Sequence, residues 1–97
     1  MILTAYVKSP IFKNDRYMAS CHSVMYQNAG TSKVTLDGGW TLYPGGSVTL
    51  GNHSNGNRIH SKMHIEFGKV SVIPGQPLEN RLEILEYHIH GQAHLDH

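Results

Sequence analysis

The chain has 97 residues, eight Lys or Arg against seven Asp or Glu, a net charge of +1 and a single cysteine. That length makes one domain with a modest core, here taken as residues 1–97. The near-neutral, scattered charge gives neither a basic footprint for nucleic acid nor a polybasic membrane patch, and one cysteine cannot form an internal disulfide or a cysteine-based zinc site.

Met1 to Lys8 sets Leu3, Ala5 and Val7 against Thr4, Tyr6 and Lys8, which predicts a first strand ended by Ser9-Pro10. The same stretch lacks the charged start and long apolar run of a signal peptide, and no run reaches membrane-spanning length. Synthesis in a cytoplasm, with no membrane insertion, is the expectation. Phe12 to Arg16 reads as a polar loop turning at Asn14-Asp15.

Arg16 to Gln27 reads as one long strand. Met18, Ser20, His22, Val24 and Tyr26 share one face; Tyr17, Ala19, Cys21 and Met25 share the other. Both faces are partly apolar, which predicts a strand covered on both sides. Cys21 is expected to be a small buried apolar residue.

Asn28-Ala29-Gly30 is a turn. Val34 and Leu36 then face a core, and Asp37-Gly38 suits a tight hairpin. Trp40 and Leu42 continue the buried row, so the Trp40 ring is expected to be largely covered. Pro44-Gly45 fits a type II turn, because Pro presets φ and Gly accepts a positive one. Val48 and Leu50 return as a strand, and 51–57 is a polar loop.

Arg58 to Phe67 alternates most regularly. Ile59, Ser61, Met63, Ile65 and Phe67 lie on one face; His60, Lys62, His64 and Glu66 lie on the other. Val70 and Val72 are assigned a short strand. Arg81 to His90 is the last strand, with Leu82 and Ile84 on one face and Leu85, Tyr87 and Ile89 on the other; a bulge or a change of sheet at Leu85 would account for the switch. About eight short strands with frequent turn signals predict an all-β antiparallel sandwich or barrel of jelly-roll type.

The segment from Asn28 to Phe67 runs turn, short strand, Asp37-Gly38, aromatic strand, Pro44-Gly45-Gly46-Ser47, strand, loop, and strand ending in Phe67-Gly68. Over residues 28–68 it resembles small β-sandwich structural proteins of bacteriophage virions, of capsid, spike or tail-adaptor type. The resemblance implies a non-enzymatic protein that works as a symmetric homo-oligomer among other virion proteins, made in the host cytoplasm and located in the virion.

Eight histidines are the loudest chemical feature. His60 and His64 stand about 13 Å apart on a strand, too far to share a metal. His88 and His90, two apart on one face, with His94 nearby, are the metal candidates, but no third ligand is fixed by spacing. The fragments His60, His64, Glu66 and Gly68 resemble pieces of the first cupin motif, which would imply a metal-dependent enzyme as a second alternative function, but they differ in spacing from its His-x-His and Glu. No Gly-x-Ser-x-Gly elbow is present. Neither a catalytic residue nor a cofactor is therefore expected. Tyr17, Met25, Leu85 and Tyr87 are the candidates for a subunit interface, since tyrosine and methionine suit such surfaces; the pattern leaves open which face of each strand is core. A rival function is a carbohydrate- or receptor-binding module with Trp40 or the tyrosines as a stacking platform.

Overall fold

The alternating segments form eight strands: β1 (Leu3–Ile11), β2 (Asp15–Cys21), β3 (Ser23–Asn28), β4 (Val34–Leu36), β5 (Trp40–Leu42), β6 (Ser47–Gly51), β7 (Ile59–Phe67) and β8 (Leu82–His90). The computed structural model describes residues 3–51 and 58–90, and side chains over 8–51 and 58–88. All pairings are antiparallel.

The pairing follows a simple rule. β1 pairs with β8, β2 with β7, β3 with β6 and β4 with β5. The chain is thus a long two-stranded ribbon doubled back at the turn 37–39. Successive pairs go to alternate sheets, and β3·β8 and β4·β7 join them into the orders β1-β8-β3-β6 and β2-β7-β4-β5. That rolled ribbon is the jelly-roll arrangement of an antiparallel sandwich. No helix among the described residues is long and apolar enough to cross a membrane.

The turns that roll the ribbon are those the sequence marks. Asp37 and Gly38 both have positive φ, 53° and 70°, and Gly39 N–H donates to Leu36 O at 3.0 Å, as in a type I′ hairpin turn. Gly45 has φ 88° and Gly46 N–H donates to Tyr43 O at 2.7 Å, the Pro-Gly turn expected at 44–45. β1 runs through Ser9-Pro10 to Ile11, further than expected. It is an edge strand, where a proline's missing N–H is tolerated.

Arg16 to Gln27 is two strands, not one. β2 and β3 belong to different sheets, and His22 is the corner between them, its N–H donating to Tyr87 O at 2.8 Å. Before the corner Ala19 and Cys21 are fully buried; after it Val24 and Tyr26 are. The chain keeps one inward face but changes parity as it changes sheet. The apolar residues on both faces therefore do not demand a second covering layer.

β8 also departs from expectation. Its register with β1 and β3 is unbroken, so no bulge lies at Leu85. The inward row is Leu82, Ile84 and Glu86, all buried, and the outward row holds Leu85 and Tyr87, both half-buried. The apparent switch arises because an acid occupies the inward row.

The core between the sheets is Val24, Tyr26, Leu82 and Ile84 from one sheet and Val34, Leu36, Met63, Ile65 and Phe67 from the other. In β7 the split matches expectation: Met63, Ile65 and Phe67 are buried, Ile59 is half-buried, and His60, Lys62, His64 and Glu66 are exposed. Val70 and Val72 form no strand. They lie in the connection 68–81, both exposed, and Val72 makes a single backbone bond to Thr31 O. Trp40 is 48% exposed rather than covered. It shares its row with buried Leu36 but sits at the end of a three-residue edge strand, beside the turn, where the core stops.

Asn28, the last residue of β3, ties the two sheets together. Its Nδ2 donates to Ser32 O at 2.7 Å and to Leu42 O at 2.8 Å, and its Oδ1 accepts from Gly30 N–H at 3.0 Å. Gly30 is needed because a Cβ there would collide with the backbone of Glu79. Thr31 and Ser32 then hold the 68–81 connection through Pro77 O, Glu79 N and Asn80 Oδ1.

Candidate functional site

Three surfaces carry chemistry. The first is the outer face of β1-β8-β3-β6. Met25 stands opposite Leu85, and Ser23 opposite Tyr87, on adjacent strands β3 and β8. Residues at positions 25, 85 and 87 thus form one half-buried apolar cluster. The charged groups beside it pair within the face: Glu83 lies 2.6 Å from Arg81 Nε and 3.4 Å from Lys8 Nζ. The guanidinium of Arg81, first, and then Lys8 hold the Glu83 carboxyl below its ordinary range.

Tyr17, the fourth interface candidate, stands apart. It is on β2, on the inward row with Ala19 and Cys21, and its hydroxyl donates to Glu86 Oε2. This second surface is internal. Glu86 is 9% exposed, and its Oε1 lies 2.9 Å from His88 Nε2. The Tyr17 ring meets Tyr26 edge-on, with centroids 6.4 Å apart and planes at 89°. Burial, and then the bond to Glu86, push the Tyr17 phenol well above its ordinary value; burial pushes Tyr26 up to about 12 and raises the Cys21 thiol. A carboxylate between a phenol and an imidazole is a satisfied polar pair of bonds joining β2 to β8. Cys21 is a buried free thiol held in its neutral form, as a packing residue is.

The metal candidates meet only in part. His88 points its Nε2 at Glu86; the His90 side chain and all of His94 lie outside the described residues. Among the described residues no group of three or more His, Cys, Asp or Glu is placed to hold a metal ion.

The third surface is the outer face of β2 and β7, whose β7 half the alternation shows and whose β2 half only the register supplies. Strand alternation puts His60, Lys62 and His64 on one row, opposite Ser20, Met18 and Arg16. Ser20 Oγ is 3.1 Å from His60 Nδ1, and Arg58 Nη2 donates to Ser20 O at 2.9 Å and to its Oγ at 3.2 Å. The signal is visible in the sequence as Arg58-x-His60-x-Lys62-x-His64, cations and imidazoles at a spacing of two.

Comparison of the chain with protein-family models, with curated proteins and with solved structures finds no match.

Proposed function

We propose that this protein is a non-enzymatic structural subunit that works as a symmetric homo-oligomer, and that the assembly belongs to a bacteriophage virion as a capsid, spike or tail-adaptor component in contact with other virion proteins. The jelly-roll arrangement suits this reading, since it serves viral capsid domains as well as lectins and cupins. A fold by itself does not choose among those functions. The observation that carries the choice is the cluster Met25, Leu85 and Tyr87: apolar side chains from strands far apart in sequence, side by side on one outer sheet face whose charges are already paired. Low charge with tyrosine and methionine is the composition of an interface centre. A stable contact there would bury roughly 800 Å² per subunit. Sedimentation velocity at micromolar concentration tests the reading. A discrete oligomer that Met25→Asp weakens is expected; a wild-type protein sedimenting as a monomer overturns the self-assembly.

A second reading rests on Trp40. Its half-exposed ring borders an open depression of about 270 Å³ with Leu36, Asp37 and Gly39. An exposed indole beside a carboxylate is a platform for a sugar ring or a receptor side chain. Saturable quenching of Trp40 fluorescence by an oligosaccharide would favour this binding module, and no change in emission across an oligosaccharide panel would remove the sugar form of it.

A further inference from the structure

The outer face of β2 and β7 is built differently from the outer face of β1-β8-β3-β6. Arg58, His60, Lys62 and His64 occupy successive outward positions, so the row spans roughly 20 Å at about 3.3 Å per residue. Arg16 joins it from β2, opposite His64. Three of the eight Lys and Arg side chains, with two histidines, thus collect on one ladder of a chain whose net charge is +1. No carboxylate among the described residues lies within ion-pair distance of Arg16, Arg58 or Lys62; the ion pairs of the described residues join Lys8, Arg81, His64 and His88 to Glu83, Glu66 and Glu86. Glu66 closes the far end of the row, 3.9 Å from His64, and Asp37 bonds the His64 backbone N–H through its Oδ1. Asp15 precedes Arg16, so the acids gather at the His64 end, and the positive charge of the Arg58–Lys62 stretch is left for an external anion.

The Arg58 end of the row has hydrogen-bonding detail as well as charge. Arg58 holds Ser20 by both its carbonyl and its hydroxyl, and the same hydroxyl meets His60 Nδ1. Next to this group Met18 is 68% exposed, directly opposite Lys62. The row thus offers charged donors, a hydroxyl and one apolar thioether along a flat strip. A linear acidic polysaccharide presents the complement: regularly spaced carboxylates or sulfates, hydroxyls, and apolar C–H faces. Guanidinium and ammonium groups pair well with those anions. No Phe, Tyr or Trp lies on these outer positions, so the stacking platforms on which single-stranded nucleic acid binding relies are missing from the row.

From this juxtaposition we infer that the Arg58–His64 row of β7, with Arg16, Met18 and Ser20 of β2, binds an acidic polysaccharide along the strand direction. The inference does not rest on self-assembly, because the apolar cluster lies on the other sheet. Nor does it use the Trp40 depression.

The test uses the full chain with polygalacturonate, neutral dextran of similar length, and oligo(dT). At low salt the polyuronate binds and dextran does not, and raising salt from about 50 to about 200 mM weakens binding on the order of tenfold. Lys62→Glu and Lys62→Gln change an exposed side chain outside the core and keep the wild-type melting temperature. The reversal is expected to weaken binding about tenfold and the neutralisation less, while Lys33→Glu, an equal charge change elsewhere, stays within about twofold. Equal weakening by Lys33→Glu would reduce the effect to net charge and overturn the site. Oligo(dT) bound as tightly as the polyuronate, or no polyuronate bound at low salt, overturns the assignment of ligand.

Discussion

The two outer faces of the sandwich come from the same period-two alternation, and they end up opposite in character. On β1-β8-β3-β6, Glu83 is shared by Lys8 and Arg81, and Met25, Leu85 and Tyr87 lie further along the same face. On β2-β7, Arg16, Arg58 and Lys62 stand without a carboxylate partner among the described residues. A face whose charged side chains already have partners loses less by being desolvated, so it suits a protein partner. A face with unpaired charge resists desolvation by apolar surface and attracts an anion. The contrast lies in where the acids fall in the register, not in how many there are.

Both faces depend on one core, and breaking it should remove the comparison altogether. Phe67→Ala, at a ring 8% exposed, is expected to cost about 3–5 kcal/mol in denaturant titration. A loss under about 1 kcal/mol would mean that the ring is not packed between the sheets. Asn28→Ala removes the polar tie from β3 to the second sheet. It leaves the carbonyls of Ser32 and Leu42 without that donor, at about 1–3 kcal/mol for each group left unsatisfied.

The two tyrosines beneath the faces sharpen the comparison. Tyr17→Phe breaks a β2-to-β8 bond to a buried carboxylate and should cost about 1.5–3 kcal/mol. Tyr26→Phe should cost less than about 1 kcal/mol, since among the described residues its buried hydroxyl makes no hydrogen bond of full geometry, only a weak interaction with Ser61. Both phenols are raised by burial, Tyr26 from 10.0 to about 12. The unfolded chain then ionises first as pH rises. Stability should be full below about pH 10 and fall as pH climbs through about 12, and Tyr26→Phe should flatten part of that loss. The smallest effect is expected on the second face: Lys62→Ala should change stability by no more than about 0.5 kcal/mol, being exposed and unpaired.

Much of this was legible in the sequence. The β7 alternation and the turns at Asp37-Gly38 and Pro44-Gly45 are local signals, and they place the core row and the fold of the ribbon. The corner at His22 is not marked, because one residue turns the chain between sheets with no Gly or Pro. Glu86 reads as a polar outlier until Tyr17, distant in sequence, is brought to its carboxylate. Trp40 reads as core because its row is apolar; only the topology shows that the row ends at an edge. Residue type alone points to Met25, Leu85 and Tyr87, and the register makes them neighbours. Tyr17, indicated with them, faces inward because β2 and β3 are separate strands. Alternation alone puts His60, Lys62 and His64 on one face; the β2–β7 register is what adds Arg16, Met18 and Ser20 beside them.

The central claim is that the face carrying Met25, Leu85 and Tyr87 is an assembly surface, and native mass measurement on wild type and Tyr87→Asp tests it most directly. The account predicts a discrete wild-type oligomer, dissociated by Tyr87→Asp into monomers that retain β-sheet circular dichroism and cooperative unfolding. A monomeric wild type, or an oligomer that keeps its mass when Tyr87 becomes Asp, would contradict it.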